Sequence, residues 1–282
     1  MTPSVRGFRY MAISAVFFAL MSLQVKVAGS RFPTMEVVLA RSIVTLLLSG
    51  AMVWYAGVDP RGQLRGLLFL RGVLGFVALS CLYYAVIRLP LADATVLHFT
   101  NPVFTALMAA FFLAERIRAR DGVVAIAGLL GVAIVARPGF LVGGEGALPA
   151  VPVAIGVLGA VFSAGAYTTV RALRGEHPSV VVLWFSGVCV VFSLPFALGG
   201  LVRPVGWEWL LLLGVGLATQ FGQLFLTLGL REIRAGPATA IAYLQIVFAA
   251  GLGWVFLSER PDPWTGLGAA IIFLATGLLR RR

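Results

Sequence analysis

The sequence predicts an all-α integral membrane protein of ten transmembrane helices, built as two inverted five-helix repeats. Three observations predict it. First, 60% of the 282 residues are hydrophobic and 12% are charged, with a mean hydropathy of +0.98. Soluble domains carry roughly 25% charged residues, so no water-soluble fold could hide this much apolar surface. Second, the apolar residues fall in runs of about 18 to 25, the length a helix needs to cross a bilayer, without the strand-period alternation of a barrel. Third, the second half of the chain repeats the first at an offset of 144 residues. Asn101 meets Gln245, Thr95 meets Thr239, Phe104 meets Phe248, and Glu115-Arg116 meets Glu259-Arg260.

The spans are expected at about 8–28, 36–56, 66–87, 91–113, 120–137, 150–173, 179–201, 207–230, 235–257 and 263–280. Arg6 and Arg9 precede the first as they would precede a signal peptide. No small-residue cleavage site follows, so the run is kept as a span. Pro33 opens span two as Pro178 opens span seven, and Gly122 opens span five as Gly266 opens span ten. Span four carries a mid-helix proline, Pro102, which span nine replaces with Ile246, so a kink is expected in one half only. Small residues at four-residue spacing recur in span six (Gly156, Ala160, Ala164) and span eight (Gly214, Ala218, Gly222). Such spacing lets helix backbones approach closely in lipid. The connection from Pro138 to Pro149 is Gly/Pro-rich and nearly uncharged. It divides the chain into repeats 1–140 and 141–282.

Charge placement orients the spans. With both termini on one side, that side receives 15 lysines and arginines, among them Arg61, Arg65, Arg71, Arg116 and Arg174. The other receives Lys26, Arg31, Arg88, Arg137, Arg203 and Arg260, and Arg41 remains inside a span. Excess positive charge belongs in the cytoplasm, so both termini are expected there. The net charge of +11 thus reads as topology rather than nucleic-acid binding. An odd number of spans per half makes the second repeat enter the membrane from the opposite face, a feature of secondary transporters that rock one half against the other. Cys81 and Cys189 both lie in apolar runs, so they read as packing residues rather than a disulfide or metal site.

The stretch ADATVLHFTNPVFTALMAAFFLAERI and its partner GPATAIAYLQIVFAAGLGWVFLSER resemble the EamA-type drug/metabolite transporter superfamily. The shared marks are ten helices in two repeats and a fourth helix in each repeat closing on a small residue followed by Glu-Arg. Here those closures are Ala114-Glu115-Arg116 and Ser258-Glu259-Arg260. Gly122, Gly128 and Gly131 in the next helix match the family's spaced glycines. The whole-chain pattern is most similar to bacterial exporters of aromatic amino acids. The resemblance implies a bacterial inner-membrane carrier of amino acids or similar metabolites, with a broad exporter of amphipathic drugs as the alternative. It implies no cofactor.

Polar side chains inside spans usually face the bundle interior. His98, Asn101 and Thr105 share one helix face at three- and four-residue spacing, as do Gln220, Gln223 and Thr227. Gln24, Tyr83, Tyr167, Trp184, Tyr243 and Gln245 add polar or aromatic groups at interior depth. Together they suggest a cavity between the halves for a zwitterionic or amphipathic small molecule. Arg41 reads in two ways: snorkelling outward to pair with Glu36, or clamping a substrate carboxylate. Glu115 and Glu259, at span ends beside arginines, read as pairing and packing groups. No Asp or Glu stands at mid-depth of a span, so a buried proton carrier would have to be His98. A membrane enzyme is disfavoured: His98 and His177 stand in different segments and paired aspartates are lacking. The expected partners are a small-molecule substrate and membrane lipid, with no metal, no nucleic acid and a monomeric chain.

Overall fold

A computed structural model of the chain describes residues 3–101, 104, 127, 130–131, 134, 148–232, 244–260 and 262–278. All regular structure among them is helical: α1 Pro3–Ala28, α2 Thr34–Tyr55, α3 Arg65–Arg88, α4 Leu91–His98, α5 Ala150–Ala172, α6 Pro178–Leu198, α7 Glu208–Glu232, α8 Leu244–Leu257 and α9 Pro263–Leu278. Six of these are long and apolar enough to cross a membrane. Most of span five, the end of span four with Thr105 and Glu115-Arg116, and Tyr243 lie outside the described residues.

The helix boundaries follow from local chemistry. Proline precedes α2, α4 and α5 in extended backbone, where it loses no intrahelical hydrogen bond. At α6 it takes the first helical position, next to a cap in which the Ser179 amide donates to His177 Nδ1. Helix α3 begins where the Gln63 and Leu64 amides donate to Glu176 Oε1 at 2.6 and 2.7 Å. A carboxylate there satisfies otherwise orphaned N–H groups and favours the positive end of the helix dipole.

Span four departs from the single helix expected. Helix α4 stops at His98, and a turn at Phe99–Thr100 precedes Asn101. The Thr100 amide reaches back only three residues, to Leu97 O, whose oxygen also accepts the Thr100 hydroxyl at 2.7 Å. Pro102 has no N–H to offer the His98 carbonyl, so the helical ladder is interrupted there in any case. The one-face argument for His98 and Asn101 therefore crosses a break and does not hold.

Contacts between connections show which way each helix runs. At one end of the bundle, Arg31 Nη1 donates to Glu208 Oε1 at 2.7 Å, and Lys26 pairs with Glu259 and donates to Leu89 O. At the other end, Glu176 holds Gln63 and Leu64, and Trp184 Nε1 donates to Pro60 O at 2.9 Å. Helix α1 thus runs toward the first end and α5 toward the second. By the same ties α2 opposes α6, and α3 opposes α7.

The packing has an internal two-fold pattern. Helix α1 lies against α7 as α5 lies against α3, and α1 lies against α8 as α5 lies against α4. Helix α2 packs on α6, and α4 on α8, across the axis between the halves. The small residues of span eight face α1 as their spacing suggested. A Cβ on Gly222 would stand 2.8 Å from the Phe18 ring, and Ser14 Oγ donates to the Gly222 carbonyl at 2.9 Å. Ala160 and Ala164 are likewise fully buried. Large apolar side chains such as Leu47, Val191, Phe196, Leu210 and Val255 are exposed. On a water-soluble protein they would be a liability, and here they form the hydrocarbon-facing surface. Trp54 and Tyr55 at the end of α2, and Trp207 and Trp209 at the start of α7, are exposed at opposite ends. That placement suits the two membrane–water interfaces.

Candidate functional site

The centre of the bundle holds two arginines. Arg41, on α2, is 1% exposed, and Arg71, on α3, is 4% exposed. Both guanidinium groups lie over the Phe185 ring of α6, Arg41 with its Cζ 5.2 Å and Arg71 with its Cζ 4.2 Å from the ring centroid. Such contacts stabilise a cation by about 0.5–2 kcal/mol, well short of the several kcal/mol that desolvating an ion costs. The shortfall is normally met by a carboxylate. Among the described residues no carboxylate meets it. The ion pairs found are Lys26–Glu259 and Arg31–Glu208.

The described acids are occupied elsewhere. Glu36 accepts the Val202 amide at 3.0 Å, Glu176 caps α3, and Asp93 accepts the Thr265 hydroxyl. Asp59 and Asp262 hold backbone amides in turns. The expected Arg41–Glu36 pair is therefore absent: Glu36 turns to the loop before α7, while Arg41 Nε and Nη2 are buried with no hydrogen-bond partner found. Arg71 Nε and Nη1 are in the same condition. Arg71 also corrects the charge tally, because it belongs to the interior and not to a rim of the bundle.

The chain shapes itself around these groups. Gly75 lies one turn after Arg71, and a Cβ there would stand 2.2 Å from Arg71 Nη1 and 2.6 Å from Phe185 Cε2. Glycine is thus what leaves room for the guanidinium against the ring. On α2, the residues following Arg41 make a small polar stripe. Ser42 Oγ donates to Val38 O, Ser186 Oγ donates to Thr45 Oγ1 at 2.8 Å, and Ser49 Oγ donates to Gln220 Oε1 at 3.1 Å. Tyr83 is fully buried, its hydroxyl near Arg41 and Thr219 without completing a hydrogen bond. Tyr167 on α5 neighbours Arg71, and Cys189 neighbours both arginines. The cluster therefore draws on α2 and α3 from one half and on α5, α6 and α7 from the other.

The remaining sequence candidates are distributed around this centre. Gln220 links α7 to α2 through Ser49 and the Met52 sulfur. Gln24 lies against Gly214 at the α1–α7 interface with its Oε1 buried and unpartnered. Asn101 and Gln245 are buried where α4 meets α8. His98 is half-buried, with an enclosed, unpartnered Nδ1. Gln223 is half-buried, and its carbonyl accepts the Thr227 hydroxyl. Trp184 instead ties α6 to the α2–α3 connection through Pro60. The sequence reading missed Arg71 and Phe185. Arg71 fell inside the expected span 66–87, and that position was the available signal. Phe185 carried none, because one phenylalanine among 20 is not distinguished until its neighbours are known.

Chemically, the arrangement is a buried cluster of positive charge between two halves. It can bind an anion, and arginine favours planar oxyanions such as carboxylates. Nothing in it resembles a nucleophile with its base. Two clefts among the described residues lie near the ends of the bundle. One, of about 490 Å³, is bordered by Asp59, Gln63, Glu176 and His177, and the other, of about 120 Å³, by Pro90, Asp93, Glu259 and Arg260. The arginine pair borders neither.

Known proteins agree with this architecture. The EamA-like transporter family model matches twice, at residues 5–137 and 151–281. The pseudopaline exporter CntI of Pseudomonas aeruginosa is 35% identical over 96% of this chain and 95% of its own length. Solute carrier family 35 member G1 of Homo sapiens is 31% identical over 96% of this chain and 78% of its own. The S-adenosylmethionine uptake transporter of Rickettsia felis is 30% identical over 96% and 90%. A solved structure titled only as a protein superposes with a TM-score of 0.66 at 19% identity, covering 95% of this chain and 96% of that one, and so shares the fold. The chain is a multi-pass membrane transporter of the EamA-like family, acting on small molecules.

Proposed function

We propose that the protein exports amino acids or related small metabolites bearing a carboxylate across the bacterial inner membrane, by alternating access to a central site between two inverted five-span repeats, 1–140 and 141–282. The observation that carries the reading is the buried Arg41–Arg71 pair on Phe185, which meets no acid among the described residues. An anionic substrate supplies the missing counter-charge, and the same pair repels organic cations, which weighs against a broad exporter of cationic drugs. Tyr83 and Tyr167 complete the binding surface, and Gln24, Gln223, Asn101 and Gln245 border the path. Both termini lie in the cytoplasm, and the unit is a monomer.

The ties at both ends of the bundle give the motion its gates. Every one joins one half to the other: Lys26 to Glu259 and Arg31 to Glu208 at one end, Pro60 to Trp184 and Leu64 to Glu176 at the other. Rocking the halves apart at one end breaks that pair of ties while the other pair holds, which exposes the arginines to one side at a time. The relative named as an exporter of pseudopaline supports an outward direction.

Proteoliposomes containing only this protein test the reading. They receive labelled amino acids on one side with no imposed ion gradient, and a sugar nucleotide and an organic cation as controls. Saturable amino-acid flux is the expected result. Flux of a control compound without any amino-acid flux, under any gradient, would remove the substrate class.

A further inference from the structure

The interior carries two positive charges that meet no acid among the described residues, and they differ in what they present. On Arg41 the buried, unpartnered atoms are Nε and Nη2, which share one edge of the guanidinium plane. That edge is the fork that takes both oxygens of a carboxylate in parallel. On Arg71 they are Nε and Nη1, which point along different edges of the planar group, so each donates to a separate oxygen. Phe185 lies under both groups. It leaves the donor edges free and offers an apolar surface between them. Gly75 lets the Arg71 guanidinium sit against the ring.

A single carboxylate satisfies one fork and leaves the second guanidinium desolvated and alone, the costliest state for a buried charge. We propose that the transported molecule carries two carboxylates, one gripped by Arg41 through both oxygens and one by Arg71, with the carbon chain between them over Phe185. This rests on the reading that the arginine pair is the substrate site, and it narrows that site from a monocarboxylate amino acid to a dicarboxylate one. Each guanidinium then faces a carboxylate of its own, and the ammonium of the amino acid is the one charge left over. The amino group meets Tyr83 or Tyr167, the polar neighbours of the two arginines.

Matched acid and amide pairs test it, because glutamate and glutamine, or aspartate and asparagine, differ by one carboxylate and little in shape. The full-length protein in proteoliposomes is given each labelled compound, with succinate as a dicarboxylate lacking the amino group. The expected result is half-saturation for each acid at a concentration lower by about tenfold or more than for its amide, the size of one lost charge-assisted hydrogen-bond pair. Arg71→Gln is expected to bring the acid–amide ratio close to one, and Arg71→Lys to keep part of it. Thermal melts confirm that both variants are folded, and the wild-type ratio decides even where a variant is not.

Equal half-saturation of acids and amides in the wild type would overturn the dicarboxylate inference while leaving the amino-acid reading intact. Saturable succinate flux, abolished by Arg71→Gln, with no flux of any amino acid would do the reverse: the two-carboxylate site would stand and the amino-acid reading would fall. Absence of flux for all five compounds would overturn both.

Discussion

Two kinds of cation stand in this bundle. Lys26 and Arg31 stand at one rim, each paired with a carboxylate from the other half, Glu259 and Glu208. Arg41 and Arg71 stand in the centre, more deeply buried, and face an aromatic ring where an acid would normally be. Stability alone would arrange the opposite, because an exposed cation needs no partner and a buried one does. The fold places its acids at helix ends and leaves its interior charges open. Rim cations hold the halves together, and interior cations wait for something that is not part of the chain.

Replacing the interior arginines gives the largest effect and tests the division most directly. Arg41→Met or Arg71→Met keeps most of the side-chain volume and removes a buried charge that no acid among the described residues offsets. Transport of a carboxylate substrate should fall by about 100-fold or more. Stability should rise at the same time, by about 1–3 kcal/mol after the lost cation–π contact is discounted. Flux assays and thermal melts on the same preparations read both. A drop in melting temperature would make the arginine a structural residue and erase the contrast with the rim.

The asymmetry of the two arginines also marks how far the sequence could be read. The repeat was legible because it is written twice. Asn101 and Gln245 occupy equivalent positions, and the structure buries both where α4 meets α8. The arginines are written once: in the register that pairs Pro33 with Pro178, Arg41 meets Ser186, and Arg71 meets Val215 at the 144-residue offset. Internal comparison therefore gave them no support, and a six-residue distance from the start of α3 made Arg71 look like rim charge. Helix rise places it about 9 Å into the span, and its long side chain carries the charge still further. The break in span four was hidden for another reason. Periodicity assumes a continuous helix, whereas the turn at Phe99–Thr100 depends on a local contest for the Leu97 carbonyl. The occupancy of Phe185 by two cations belongs to tertiary packing and has no one-dimensional trace.

A smaller perturbation reaches the interior pair without touching its charge. Gly75→Ala places a methyl against Arg71 Nη1 and the Phe185 ring, at separations no real side chain tolerates. The guanidinium must shift, so half-saturation should rise by about tenfold, with overpacking costing about 1–3 kcal/mol. Gly72→Ala on the same helix is the matched control. Its methyl would meet Val188 at 2.6 Å, so it carries similar strain into the α3–α6 interface, against an aliphatic side chain rather than against a guanidinium. It should lower the melting temperature to a comparable degree and leave half-saturation unchanged. A parallel rise in half-saturation for both variants would mean that helix spacing, not the position of Arg71, controls binding.

The rim gives the smallest effect, and its sign separates it from the centre. Glu259 Oε2 accepts the Leu91 amide at 2.7 Å while Oε1 pairs with Lys26. Glu259→Gln retains an oxygen for the α4 amide but loses the ionic half of both interactions. Lys26 keeps its bond to the Leu89 carbonyl and is partly exposed, so it is not stranded as a buried arginine would be. The variant should lose about 1 kcal/mol of stability, the opposite direction from Arg41→Met. The deficit should shrink in high salt, which screens the wild-type pair. Half-saturation should stay within about twofold, since a change of a few tenths of a kcal/mol is all that a tie remote from the arginines can pass to the site. A tenfold change measured for this substitution would show that the rim ties also set the binding energy, and the two classes of cation would collapse into one coupled network.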